Sequence, residues 1–117
     1  MIIEEATDQR QWDDFLKSQP YSPFLQSWAM GEVYRAIGQI PFRIVARDDS
    51  GIQAICQAIL VPARRGRHLM VPYGPVMNGQ WTMENGQLLF EKLREIAKQH
   101  RCSFIRLSPF WPERNAP

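Results

Sequence analysis

Hydrophobic and polar positions along this chain follow two periods, one typical of helices and one typical of strands. Three stretches carry apolar residues three or four positions apart, and several other stretches are continuously β-branched and apolar. The first helical stretch begins at Asp8, where Asp8 and Gln11 have the spacing of a capping box, and it ends before Pro20. Its predicted buried face consists of Trp12, Phe15 and Leu16.

A second helix is predicted from about Ser27 to Ile37, with Gly38 as the residue that ends it. The helical period places four apolar residues on its buried face, namely Ala29, Val33, Ala36 and Ile37. A third helix begins after Thr82, which can cap it. Its apolar stripe consists of Leu89, Phe90, Leu93, Ile96 and Ala97.

Five strands are predicted, at residues 1–5, 42–46, 52–61, 68–71 and 103–107. The sequence Asp-Asp-Ser-Gly at residues 48–51 is a strong turn signal, so the second and third strands form a hairpin. The fourth strand follows a turn centred on Gly66, and a helical crossover joins it to the fifth, which we expect to run parallel to it. The order β-α-α-β-β-β-α-β predicts an α/β fold in the sense of an α+β mixed sheet with helices on its faces.

Composition favours one globular domain. Apolar residues make up 44% of the 117 positions and charged residues 22%, which is ordinary for a folded protein. We assign residues 1–109 to a single domain and residues 110–117 to an irregular tail. The net charge of +2 is far from that of a dedicated nucleic-acid-binding protein, so any charge-driven partner must meet a local patch.

Cys56 and Cys102 each lie alone in an apolar stretch, without a CxxC pair. They are predicted to be reduced core thiols, with a disulfide or a metal site as the alternative. No stretch approaches the roughly 18 apolar residues of a membrane span, and the N-terminus becomes acidic where a signal peptide would be apolar. A cytoplasmic protein is expected, with peripheral attachment to the inner face of the membrane left open.

The element order resembles the first half of the acetyltransferase-like fold of the GNAT superfamily. In GNAT enzymes a Gly-rich loop after the fourth strand binds the pyrophosphate of coenzyme A through backbone N–H groups at a helix N-terminus. Residues 73–82 take that place in this chain, and Pro75 removes one of the donors. A coenzyme A-dependent GNAT N-acyltransferase is therefore an alternative hypothesis.

Three stretches resemble the Fem family of peptidoglycan-bridge aminoacyltransferases, whose domains are GNAT-like without the coenzyme A loop. FLQSWAMG at residues 24–31 is similar to the family's Phe, Gln-Ser and Trp pattern at the head of its second helix. MVPYGPVMN at residues 70–78 resembles its YxPRGPVxD turn, and FIRLSP at residues 104–109 resembles its FxRIDP strand. The chain departs from these patterns at Met70, Tyr73, Asn78 and Ser108, each of which replaces a charged or polar group of the family.

The resemblance implies an enzyme that transfers an amino acid from aminoacyl-tRNA to an amine on the peptide stem of a UDP- or lipid-linked peptidoglycan precursor. No separate cofactor is implied, because the donor ester is already activated and positioning with oxyanion stabilisation can carry the acceleration. The resemblance also implies that this chain is the N-terminal GNAT-like part of a longer protein. A C-terminal GNAT-like domain would then supply the other wall of the substrate cleft.

The candidate substrate-binding residues are Tyr73, Gly74, Asn78, Arg35 and Trp28, and no catalytic residue or metal-ligand set is identified. Tyr73 is favoured first, because Pro72 and the Gly74-Pro75 pair stiffen the turn that carries it. Asn78 either hydrogen-bonds a peptide stem or closes the turn. Arg35 either reaches a phosphate or pairs with Glu32, and Trp28 either stacks on a sugar or base or belongs to the core.

Two further features leave alternatives open. Arg64, Arg65 and Arg67 precede His68 in a turn that either meets the phosphates of a nucleotide-linked precursor or of tRNA, or is simply solvated. The aromatic residues Phe110 and Trp111 in the tail suggest a third hypothesis, a non-catalytic interaction module that docks through them.

Overall fold

The computed structural model describes residues 1–64, 66–79 and 82–108, so the tail with Phe110 and Trp111 lies outside the described residues. In chain order the elements are β1 (Ile2–Glu5), α1 (Gln9–Ser18), a one-turn 3-10 helix (Phe24–Gln26), α2 (Trp28–Ala36), β2 (Ile40–Asp48), β3 (Gly51–Val61), β4 (His68–Pro72), β5 (Val76–Met77), α3 (Met83–Gln99) and β6 (Phe104–Ser108). The predicted order is confirmed, with the 3-10 turn and the two-residue strand β5 as additions.

Each of the three α-helices begins at a side-chain cap, which satisfies a backbone N–H that the helix itself leaves unpaired. Asp8 accepts from the Gln11 N–H at 3.1 Å, as the capping-box spacing predicts. Ser27 accepts from Met30 N–H, and Thr82 from Asn85 N–H, both at 3.2 Å. The sequence therefore places all three helix starts correctly.

The sheet has the order β1-β2-β3-β4-β6, and β5 pairs with β3. β2 and β3 form the predicted hairpin, which closes at the Asp48↔Gly51 pair. β4 and β6 run parallel, in register from His68↔Phe104 to Pro72↔Ser108. The helical crossover through α3 thus gives the parallel pairing expected of it.

Two apolar clusters form the core, one on each face of the sheet. α3 covers one face with Leu89, Leu93, Ile96 and Ala97, which pack on inward-facing residues of β2, β3 and β4. α1 covers part of the other face with Trp12, Phe15 and Leu16. The predicted faces of α1 and α3 are confirmed, except that Phe90 is only partly buried.

Both cysteines are free thiols. Cys56 belongs to the cluster beneath α3, and its complete burial raises the pKa of its thiol to about 12. Partial burial also raises the pKa of Cys102, against the lowering effect of the nearby Arg67 charge. Cys56 is therefore an inert part of the core.

The predicted buried face of α2 is wrong. Ala29, Val33, Ala36 and Ile37 are exposed, and Val33 and Ile37 retain 51% and 67% of their accessible surface. The helix instead packs through Gly31, its only buried residue. The reason is that the strand residues beneath the helix are Arg43 and Gln57. The helix therefore packs on polar side chains, and it does so at glycine, the residue that leaves room for them.

Among the described residues, none of the helices combines the length and the apolar character that a membrane crossing would require.

Candidate functional site

Strands β3 and β4 separate part of the way along the sheet. β4 pairs with β3 at Ile59–Val61 only, and the chain then leaves β3 at the turn of residues 73–75 and returns to it as β5, opposite Ala54 and Ile55. Residues 56–58 of β3 lie between these two ladders. The backbone groups at this split need partners from outside the sheet.

Gln26 supplies those partners from the 3-10 turn. Its Nε2 donates to the carbonyl oxygens of Gln57 at 3.1 Å and Pro72 at 2.7 Å, and its Oε1 accepts from the Gln57 N–H at 2.7 Å. The side chain is completely buried. A single amide therefore replaces the missing ladder between β3 and the end of β4.

Arg43 and Gln57 extend this arrangement beneath α2. Arg43 Nε donates to Gln57 Oε1 at 3.0 Å, and Arg43 Nη2 donates to the Trp28 carbonyl and to Glu32 Oε2, both at 2.8 Å. The guanidinium lies 3.8 Å from the centre of the Trp28 ring. We call Gln26, Arg43, Gln57 and Glu32 the polar core, because together they connect α2 to the strand split.

The Gln57 amide completes the polar core. Its Nε2 donates to the carbonyl oxygens of Leu25 at 3.2 Å and Ser27 at 2.9 Å, so it holds the chain just before α2. Arg43 keeps only 7% of its surface and Gln57 none. Buried polar groups are stabilising when they are hydrogen-bonded in this way and costly when they are not.

The turn after β4 is held at several points. The Tyr73 N–H donates to the Ser108 carbonyl at 2.7 Å, and the Tyr73 carbonyl accepts from the Tyr21 hydroxyl at 2.6 Å. Tyr73 adopts a left-handed backbone conformation with φ of 54°, which is uncommon for a residue other than glycine. Its side chain keeps 43% of its surface, at the mouth of the split.

Position 74 has no room for a side chain, so it requires glycine. A Cβ atom there would lie 2.6 to 2.8 Å from three atoms of the Gln26 side-chain amide. The Gly74-Pro75 peptide bond is cis. Gly74 is thus part of the turn and also leaves the space that the Gln26 side-chain amide occupies.

The five predicted site residues occupy three places. Tyr73 and Gly74 lie at the strand split, and Trp28 reaches it through Arg43. Arg35 is exposed and pairs with Glu32 at 3.3 Å. Asn78 follows β5 and contacts β3, because its N–H donates to the Gln53 carbonyl at 3.0 Å and its side-chain amide donates to Gln53 Oε1. Substrate binding by these five residues stays a prediction.

Sequence reasoning missed the polar core, because it named Glu32 only as a partner for Arg35 and Gln26 only as part of a family-like pattern. One local signal existed, because Gln26 and Gln57 are amides inside apolar stretches. Their partners, however, lie 31 and 46 residues away for Gln26, a separation that no local pattern encodes.

The charge of Glu32 depends on Arg43. The hydrogen bond from Arg43 lowers the pKa of the Glu32 carboxyl from its ordinary value of 4.5, against the opposing effect of desolvation, and the charges of Arg35 and Arg43 lower it further. A carboxylate with a lowered pKa stabilises the fold above its ordinary pKa, and that stabilisation is lost as the pH falls through the lowered value.

We therefore expect Glu32→Gln to make folding less sensitive to acid. Between about pH 6 and about pH 3, the wild type should lose more of its free energy of unfolding than the variant does, as measured by urea titration at several pH values. Glu91→Gln is the matched control, because it removes an exposed carboxylate from α3 and leaves the polar core intact. Equal acid sensitivity of the wild type and the Glu32 variant would contradict the assignment.

Within the described ranges, no three His, Cys, Asp or Glu side chains are grouped in a way that would hold a metal ion. Two half-buried histidines instead make ring contacts. His68 stacks on Phe104 with ring centres 4.5 Å apart, and His100 packs against Phe42 at 4.9 Å.

Comparison with known proteins places these features in context. The model of the FemAB family matches residues 7–116. Among solved structures, FemX superposes with a TM-score of 0.83 at 23% identity, over 97% of this chain and 28% of the FemX chain. No curated protein matches the sequence.

Structures of similar length to this chain superpose as well. A transcriptional regulator from Bacillus halodurans C-125 gives a TM-score of 0.71 at 19% identity, over 98% of this chain and 85% of that one. A ribosomal-protein-alanine N-acetyltransferase from Brucella melitensis biovar Abortus 2308 gives 0.71 at 12% identity, over 98% and 84%. The chain has the GNAT-like fold, and it spans little more than a quarter of the length of FemX.

Proposed function

This chain belongs to the FemAB family, and we propose that it forms part of a Fem-type aminoacyltransferase. The reaction would transfer an amino acid from aminoacyl-tRNA to an amine on the peptide stem of a UDP- or lipid-linked peptidoglycan precursor. The match of the family model over nearly the whole chain carries this proposal. A tRNA-dependent reaction belongs to the cytoplasm, with contact at the inner face of the membrane when the precursor is lipid-linked.

The strand split supports a role in binding the precursor. The backbone of Tyr73 is bonded on both sides, to Ser108 and Tyr21, and Gly74 is packed against Gln26. The Tyr73 side chain is thus presented at the mouth of the split by a turn with little freedom. A rigid aromatic ring with a polar tip can contact a ligand with a small loss of conformational entropy.

The exposed face of α2 supplies a second contact in this proposal. Arg35 keeps about half of its side-chain surface, and its Nε is the atom that pairs with Glu32. A guanidinium has five N–H donors in a planar fork that suits phosphate oxygens. We assign the diphosphate of a UDP-linked precursor to Arg35 and the peptide stem to Tyr73 and Asn78. Trp28 would act through its contact with Arg43, which holds the start of α2 in place.

The transfer itself needs no covalent enzyme intermediate and no separate cofactor. The stem amine attacks the ester carbonyl of the aminoacyl-tRNA, a C–N bond forms, and the ester C–O bond to the terminal ribose breaks. The amine proton is transferred to the leaving ribose oxygen. Because the ester is activated, holding amine and carbonyl together accounts for much of the acceleration. This chain contributes one wall of such a site, and the second GNAT-like domain implied by the family would contribute the other.

Calorimetric titration with a UDP-linked muropeptide tests the precursor site, using the protein that contains this chain. We expect saturable binding, weakened about tenfold by Tyr73→Ala because the ring contact is lost. Met83→Ala, which truncates an exposed side chain at the start of α3, should bind as the wild type does. Absence of saturable binding by the wild type to both the UDP-linked and the lipid-linked muropeptide would overturn the proposed function. Unchanged binding by Tyr73→Ala would remove Tyr73 from the site and leave the function standing.

A further inference from the structure

Positive charge is concentrated at one end of this molecule. Residues 62–83 and 96–108 contain six Lys and Arg residues and no Asp or Glu. The rest of the chain contains eight Lys and Arg residues and twelve Asp and Glu residues. The two segments thus carry +6 and the remainder −4, which together give the net charge of +2. The net charge of the chain is small because two strongly basic segments are offset by an acidic remainder.

The fold brings the two segments together. The Ser103 N–H donates to the Arg67 carbonyl at 2.6 Å, which ties the turn before β4 to the turn before β6. Arg64, Arg67, Lys98 and Arg101 are exposed around the N-terminal ends of these two strands, and Arg106 is exposed in the middle of β6. We call these five residues the basic end. Lys98 also lines a shallow groove of about 450 Å³ with Ser103 and Phe104, and none of the described residues that line it is acidic.

An aromatic pair lies within the basic end. Phe104 keeps 48% of its surface and stacks on the His68 ring at an interplanar angle of 8°. His68 is held in place, because its Nδ1 lies 3.0 Å from the Gly66 carbonyl oxygen. Arg106 is two residues beyond Phe104 on the same strand, so both residues point to the same face of the sheet. An exposed aromatic surface surrounded by positively charged side chains is typical of contacts with single-stranded nucleic acid.

The basic end lies apart from the strand split. β4 begins at His68 in the basic end and finishes at Pro72 in the split, and five residues of strand separate the two by about 13 Å. A few nucleotides of an unpaired 3′ end can span that distance. A polyanion bound at the basic end could therefore present its terminus toward Tyr73.

We propose that the basic end binds the RNA backbone of the aminoacyl-tRNA donor, an inference that rests on the proposed function. Phosphate neutralisation by these arginines and lysine would dominate the affinity and make it dependent on salt. The phosphates of a nucleotide-linked precursor share this chemistry. They are assigned to Arg35 on α2, because Tyr73 and Asn78 are the residues that would bind the remainder of that precursor.

The test measures binding of unacylated total tRNA by fluorescence anisotropy over a series of salt concentrations, with the protein that contains this chain. Arg67→Gln combined with Arg106→Gln should lower the affinity at least tenfold and reduce the slope of log K against log salt by about 1 for each arginine. Arg10→Gln with Lys17→Gln is the matched control, since it removes two exposed cations from α1 with the same change in net charge.

The outcomes separate this inference from the proposed function. Weaker tRNA binding by the basic-end variant alone, with unchanged binding of UDP-linked muropeptide, supports the inference. If both variants bind tRNA equally while the wild type transfers amino acid, the inference is overturned and the function stands. If the basic-end variant instead loses binding to the muropeptide or to phosphatidylglycerol vesicles and keeps tRNA binding, the surface serves another ligand. A wild type that neither transfers nor binds tRNA overturns both.

Discussion

Gln26→Leu is expected to lower the free energy of unfolding by about 4 kcal/mol, although leucine has nearly the same size. The substitution leaves three buried backbone groups without their partners, namely the N–H and carbonyl of Gln57 and the carbonyl of Pro72. Each unsatisfied buried group costs about 1 to 3 kcal/mol. Urea unfolding followed by circular dichroism measures the loss.

Gln99→Leu provides the control for this experiment. Gln99 is exposed at the end of α3, and its amide makes a long contact of 3.5 Å with Glu95. We expect a change within about 0.5 kcal/mol, as for most surface substitutions. A Gln26→Leu variant that is as stable as the Gln99 variant would show that the split does not depend on this amide.

Gly31→Ala is expected to destabilise the protein by about 3 kcal/mol, although alanine normally favours a helix. A Cβ atom at this position would overlap Gln57 Oε1 and lie 2.5 Å from Arg43 Nη2. Both atoms end long side chains that could swing away if they were exposed. The Arg43 and Gln57 side chains are buried, and they are hydrogen-bonded to Trp28, to Ser27 and to each other, so the methyl group must break the polar core or displace α2.

Gly79→Ala is the matched control, because no atom of the described residues lies within 4 Å of a Cβ placed there. Its stability should change by less than about 0.5 kcal/mol. Thermal unfolding of both variants beside the wild type measures the difference. A Gly31→Ala variant with wild-type stability would mean that α2 does not press on Arg43 and Gln57.

The contrast between α2 and the other helices shows which parts of the fold local sequence can predict. α1 and α3 pack apolar stripes on apolar strand residues, so their period alone identified the buried side. α2 packs on Arg43 and Gln57, and its apolar residues face outward. An amphipathic pattern presumes an apolar partner, and it gives the wrong side when the partner is polar.

The candidate site divides in the same way. The turn that carries Tyr73 and Gly74 was visible, because prolines and glycine mark it in the sequence and a family resemblance covers it. Gln26 also lies in a stretch covered by the resemblance, but its role was not visible, since that role depends on two strands that are distant in the chain. β5 was missed because two residues show no period. Local chemistry thus predicted the turn, and only tertiary structure shows what holds it.

Transfer of a labelled amino acid from aminoacyl-tRNA to a UDP-linked muropeptide tests the central claim most directly. With the protein that contains this chain, we predict a labelled muropeptide whose formation requires the acylated tRNA and does not change when acetyl-CoA is added. Acyl transfer from acetyl-CoA to an amine, with none from aminoacyl-tRNA, would contradict the account.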